Sequence, residues 1–400
     1  MSLRSSPKGA GVRTLEDVSP SVRRRRPWLI ALPLVLVVAA GLAWTAFWFH
    51  AASVTRTVLA GWQENEAAAG RTYACASQDV GGFPFRFELR CREPVAALRS
   101  ASPPARVSAA DAVVVAQVWQ PTLIIAEATG PLRLGPIEAA PALSLDWSLA
   151  QASLRGLPTD PERLSVVIDR PLAASLEGTT AGLIGQADRA EFHARIAGGS
   201  ARRDPVLDLA LRLDEAVAPM LARAGAAPVP LDLDAVGVLR GLPSLAPRSL
   251  AGTLRTLQAA GGRLEVTRLR LQQGDIVATG TGTLGLSPRG ALDGELQLSI
   301  VNAEKLLPLL GVDRLVNQLL PQSTRERLAP GLDRLVPGLG NILRGDAAPP
   351  GAGPAGGAGG EALGPATELE GKRAVRMPLR FVDGAVMLGP FRVGQLAPFY

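Results

Sequence analysis

Twenty-three consecutive residues, Pro27 to Phe49, carry no charged side chain. As a helix rising 1.5 Å per residue, such a run covers a hydrocarbon core of about 30 Å with some tilt to spare. It therefore reads as a transmembrane anchor, and everything beyond it must fold on one side of a bilayer. Trp28 at one end, and Trp44 and Trp48 near the other, suit the headgroup regions where amphipathic rings collect. Arg26 closes a cluster begun at Arg23, with Arg4, Lys8 and Arg13 upstream. The positive-inside rule leaves residues 1–26 in the cytoplasm and sends the remainder across. A cleavable signal peptide shares the pattern of basic stretch then apolar run. Here the run is long for a signal core and ends in the bulky Trp44, Phe47, Trp48 and Phe49, so an uncleaved anchor is the expectation.

The basic tail also explains the charge. Residues 1–26 hold a net +5 of the chain's +6, which leaves a near-neutral body without the electrostatic footprint that a nucleic acid requires. The tail itself suits anionic lipid.

The only two cysteines stand in "CASQDVGGFPFRFELRC", Cys75 to Cys91. Gly81, Gly82 and Pro84 form a turn, and beyond it Phe85, Phe87, Leu89 and Cys91 alternate with Arg86, Glu88, Arg90 and Arg92, the two-residue period of a half-buried strand. A hairpin centred on Phe83 would oppose Cys75 to Cys91 at a spacing a disulfide can bridge. Asp79 on the apolar face is discordant with that register. Two readings stand: a disulfide, given an oxidising compartment, or two separate buried thiols.

Val54, Val58 and Trp62 continue the anchor as a juxtamembrane helix over residues 50–70. From residue 71 alternation recurs: Leu143, Leu145, Trp147 and Leu149; Leu164, Val166 and Ile168; Phe192, Ala194 and Ile196; Leu207 to Leu213. These predict antiparallel strands joined as meanders. The clearest pair is "GDIVATGTGTLGLSPRGALDGELQLSIV", where a five-residue loop from Ser287 to Ala291 sets Leu286 against Leu292 and Gly280 and Gly282 against Leu298 and Leu296. The glycines would leave room above those leucines. Leu284, Leu286, Leu292, Leu296, Leu298 and Ile300 are the candidate apolar groove. Residues 303–344 turn to helical periodicity, suiting either a cap on the sheet's open end or a lid or membrane-surface element. Residues 345–366 are a Gly/Pro/Ala linker, and residues 367–400 hold a last hairpin at Asp383-Gly384 returning to the same sheet. The expected fold is mainly β with α: an N-terminal transmembrane helix, then a large antiparallel, curved or groove-like β-sheet domain over 71–344 with a few amphipathic helices.

The anchor, "GGFPFRFELRC", "TGTGTLGL…GALDGELQLSIVNAEKLL" and the closing "DGAVMLGPFRVGQLAPF" together resemble the domain-of-unknown-function 2125 family of bacterial envelope proteins. The turn and the Gly-x-Leu-x-Leu meander are also similar to AsmA-like proteins. That wider resemblance implies an inner-membrane anchor, a periplasmic β-groove with an apolar interior, and a role in lipid traffic or envelope assembly, with no catalytic residues to carry over.

Chemistry finds little purchase. His50 and His193 are the only histidines, too few for a transition-metal site, and "TGTGTLG" lacks the lysine of a phosphate loop. Neither an enzyme nor a cofactor is expected. Two functions remain: a lipid-binding module working through an apolar β-groove, or a non-catalytic adaptor holding an envelope protein at an exposed sheet edge or the 303–344 helices.

Overall fold

The computed structural model describes residues 28–101, 103–157, 160–177, 182–219, 228–245, 249–303, 367–389 and 391–400. The basic tail with Arg26, the amphipathic helices expected over 303–344, save Ala303, and the linker expected over 345–366 lie outside the described residues. The chain forms two compact units, Met1–Ala51 and Ala52–Tyr400.

Helix α1, Trp28–Ala68, runs through both. Its stretch from Ala31 is long and apolar enough to cross a membrane, and the most apolar part of it is almost entirely uncovered. A helix at the core of a soluble protein would be mostly covered, and Leu34, Val37 and Leu42 are instead exposed.

In the second unit the chain lays strands alternately into two sheets. The smaller has seven strands among the described residues: β1 (Arg71–Ala74), β4 (Val95–Leu98), β5 (Ala105–Ser108), β8 (Leu132–Pro136), β9 (Leu143–Asp146), β12 (Leu172–Ser175) and β13 (Gly182–Gln186). The larger, of sixteen strands, begins with β2 (Ser77–Gly81), β3 (Arg86–Arg92), β6 (Asp111–Gln117), β7 (Gln120–Thr129), β10 (Leu149–Arg155), β11 (Arg163–Asp169) and β14 (Arg189–Ser200). Each β3–β4, β5–β6 or β7–β8 step is thus one long strand bent at a corner. Pro94, Pro131 and Pro171 stand at three of these corners, where the missing N–H makes an interrupted ladder inexpensive. Glu93 and Arg170, before two of them, take φ of 47° and 50°. The corners remain hydrogen-bonded across the fold line: the Glu93 amide donates to Ala110 O (2.8 Å) and the Arg170 amide to Asp188 O (2.8 Å).

Thereafter the chain stays in the large sheet: β15 (Arg203–Ala216), β16 (Leu231–Arg240), β17 (Arg263–Gln273), β18 (Ile276–Leu286), β19 (Leu292–Val301), then β21 (Lys372–Val382), β22 (Ala385–Leu388) and β23 (Phe391–Gln395), with β20 (Thr367–Leu369) pairing β21. Helix α2, Leu250–Ala259, joins β16 to β17 and is capped by Ser249, whose side chain accepts from the Gly252 amide. Among the described residues every ladder is antiparallel, and the large sheet stays open between β2 and β23. The β18–β19 register is as expected, Leu286 opposite Leu292 and Gly280 opposite Leu298, and β21 returns beside β19.

The cysteine hairpin differs. Val80 faces Leu89 and Gln78 faces Cys91, a register three residues from the one centred on Phe83. Arg86 and Phe87 pair only with β6, on the other side of β3, so the turn is longer than Gly-Gly-Phe-Pro suggests. The shift exposes Asp79 and buries Val80, which removes the discordance. Cys75 lies beyond the ladder, at the first corner between β1 and β2, and still bonds Cys91 with Cα atoms 5.4 Å apart. The disulfide therefore clamps the start of the fold line. A cross-link closing a loop of this size limits the unfolded chain by about 3 kcal/mol. Replacing both cysteines with Ser in the full chain is expected to lower unfolding free energy by about that much. The urea midpoint in detergent checks it, and an unchanged midpoint would contradict the assignment.

Candidate functional site

Because side chains alternate, the ladder register determines which residues share a face of the large sheet. One row runs Val80, Leu89, Val114, Ala126, Ala152, Val166, Phe192, Leu211, Ala235, Leu269, Gly280, Leu298, Met377, from β2 to β21 without a polar residue. The parallel rows through Leu164, Ala194 and Leu209 and through Ile168, Ala190 and Leu213 are apolar as well. Over β14 to β17 the opposite face reads Glu191, Arg212, Asp234, Arg270. One face of the sheet is thus hydrocarbon across its breadth, and the other carries charged side chains over these four strands.

The apolar rows are not equally covered. Toward β19 they close into a core of Ile276, Leu296, Leu298, Ile300, Met377 and Leu388, with Leu284 and Leu379 packed against it. The leucines of the candidate groove therefore divide. Leu296, Leu298 and Ile300 are buried in this core, Leu284 lies against it, and Leu286 and Leu292 are half-buried at the hairpin end. The space over Gly280 is taken by Leu298: a Cβ there would meet Leu298 Cδ2 at 2.5 Å. Glycine here admits a packed leucine and does not hold a channel open.

Room lies instead where the two sheets face one another. A cavity of about 790 Å³ is lined by Ile168, Ala190, Leu213 and Leu231 of the large sheet, by Leu145, Leu172 and Ala173 of the small one, and by Trp147 and Pro171 at the fold line. That volume falls within the about 300–1,000 Å³ of small-molecule sites. The Trp147 indole N–H donates to Ala128 O at 2.8 Å, so its one polar group is satisfied and its ring is left as apolar wall. Asp146, Gln186, Gln273 and Asp275 supply the polar groups of the lining. Ile276 belongs both to the cavity wall and to the buried core, which joins the two regions. One position along the strands from Ala190 and Leu213, Phe192 and Leu211 remain 37% and 39% exposed on the central apolar row. The cavity thus adjoins an uncovered hydrocarbon strip.

The charged face is held by cross-strand pairs. Arg189 bridges Asp169 and Glu191, and Arg380 meets its direct partner Glu295 at 2.8 Å. Hydrogen bonding from Arg189 holds the Glu191 carboxyl below the ordinary carboxylate range, and Arg240 with Arg263 does the same for Glu265. His193 lies on this face, 3.2 Å from Glu191. Glu88 is buried, clamped by Arg86 and Arg90. Among the described residues no three of His, Cys, Asp and Glu gather as metal ligands. Of the residues expected at the membrane boundary, Trp28 and Trp44 are exposed on α1 and Trp48 is buried.

The profile of the bacterial family described as "Uncharacterized protein conserved in bacteria (DUF2125)" matches residues 48–397. The chain belongs to this family. The match covers both sheets, the cavity and the end of α1, so the folded meander lies within the DUF2125 region. No curated protein and no solved structure matches the chain.

Alternation alone marked Leu145, Trp147, Ile168 and Leu213 as apolar strand positions but could not bring them together. The pairing of two sheets through corners does that. The prolines at residues 94, 131 and 171 were the signal for those corners.

Proposed function

We propose that this DUF2125 chain is an inner-membrane-anchored, periplasmic, non-catalytic protein that binds lipid on the apolar face of its large sheet and supports lipid traffic or envelope assembly. The observation that carries the reading is the unbroken apolar row from Val80 to Met377, which passes an uncovered stretch at Phe192 and Leu211 beside the cavity. A hydrocarbon surface of this extent favours an acyl chain by about 25 cal/mol for each Å² withdrawn from water. The Cys75–Cys91 bond supports an oxidising compartment, and the arginine cluster supports an inward-facing N-terminus.

A photo-crosslinking amino acid placed in the full chain in cells tests it. At Phe192 the expected product is a lipid adduct, and at Glu191, one residue away on the charged face, none. Equal labelling at both positions, or none at Phe192, would sink the reading. A protein adduct at Phe192 would favour the adaptor role instead.

A further inference from the structure

A second apolar feature lies outside the sheet face. Phe85, at the β2–β3 turn, and Trp119, at the β6–β7 turn, are 60% and 66% exposed. Their ring centroids stand 6.1 Å apart, and the Val118 amide donates to Phe85 O at 3.1 Å, tying the two turns together. Phe83, two residues before Phe85, is exposed as well, and Arg86 and Arg90 follow with exposed side chains. Aromatic rings mixed with arginine are the composition of a membrane–water interface, where an apolar ring and a cationic side chain can both be satisfied.

Chain connectivity says which interface. On the helix, Glu66 pairs with Arg71, Trp62 stacks on Tyr73 at 4.9 Å, and Arg56 donates to Val80 O at 3.1 Å. Moving toward the N-terminal end of this stretch therefore moves toward the β2–β3 turn. Arg56 stands seven positions beyond Phe49, the last of the uncharged run, and even a fully extended chain covers only about 25 Å over that distance. Val80 is held against Arg56, and Phe83 and Phe85 follow it directly in the chain. We infer that the aromatic tip of Phe85 and Trp119 seats in the headgroup region of the bilayer that anchors the chain. This holds independently of what the inner sheet face binds.

The full chain has no thiol beyond the disulfide pair, so a single introduced cysteine can be labelled selectively. The variants Trp119→Cys and Phe85→Cys, each carrying an environment-sensitive fluorophore, are reconstituted in phosphatidylethanolamine–phosphatidylglycerol vesicles with or without headgroup-nitroxide lipid. Val382→Cys, exposed on β21, serves as the comparison. The expected result is severalfold quenching at either tip position and a ratio near one at Val382. Each tip label reads the contact by itself, so one variant that fails to fold does not remove the test. Ratios near one at the tip overturn the inference, including the case of a label shielded by protein and not by lipid. Equal quenching at Val382 overturns it too, because the sheet would then lie flat on the bilayer.

Discussion

Leu211→Asp is expected to leave the protein folded and to abolish lipid capture at Phe192. Leu211 faces Phe192 across β14 and β15 and is 39% exposed, so a carboxylate there keeps access to water when no ligand is bound. With an acyl chain laid along the row, the same carboxylate meets hydrocarbon. An Asp in hydrocarbon costs about 2.5–3.5 kcal/mol, which is a loss of about a hundredfold in occupancy. The yield of lipid adduct from the Phe192 crosslinker, with the urea midpoint measured alongside, reads both halves of the prediction. Undiminished adduct with an unchanged midpoint would show that this row is not where lipid lies.

The same substitution farther along the row is expected to do the reverse of sparing the fold. Leu298 shares that row, is 8% exposed, and sits among Ile276, Ile300 and Met377 over Gly280. Its replacement by Asp buries a charge with no partner and opens a void, and should cost about 4 kcal/mol or more. Leu298→Ala, which makes the void alone, should cost about 2–5 kcal/mol. Urea unfolding of the two variants checks the order, and an Asp variant as stable as the Ala variant would mean that water reaches this end of the row. The contrast separates the part of the apolar face that builds the fold from the part left open for a ligand.

Much of the architecture could be read from local pattern. The uncharged run at 27–49, the Asp383-Gly384 hairpin and the β18–β19 pairing were legible because each is fixed by neighbours in sequence: a one-residue slip would turn Leu296, Leu298 and Ile300 to water. The corners were hidden for a related reason. Bending a strand scarcely disturbs its two-residue period, so Leu143, Leu145, Trp147 and Leu149 look like one strand although Asp146 ends β9 and Leu149 begins β10. The cavity was hidden because its walls come from two sheets, Leu145 and Leu172 on β9 and β12 of the small one and Leu213 and Leu231 on β15 and β16 of the large one. The cysteine register failed because the hairpin was centred on Phe83 in the Gly-Gly-Phe-Pro turn, whereas the ladder sets Val80 against Leu89 and Cys75 lies at the corner beyond it.

The corners make the structure extensible. Each folded pair of strands rests on the one before and alters nothing already laid down, so a duplicated segment could be spliced in at a proline without disturbing its predecessors. At strand spacings near 4.8 Å, one more pair in the large sheet would lengthen the greasy track by about 10 Å. The length of that track is then a matter of how many pairs a chain carries, and it can change by counting while the chemistry of the surface stays the same.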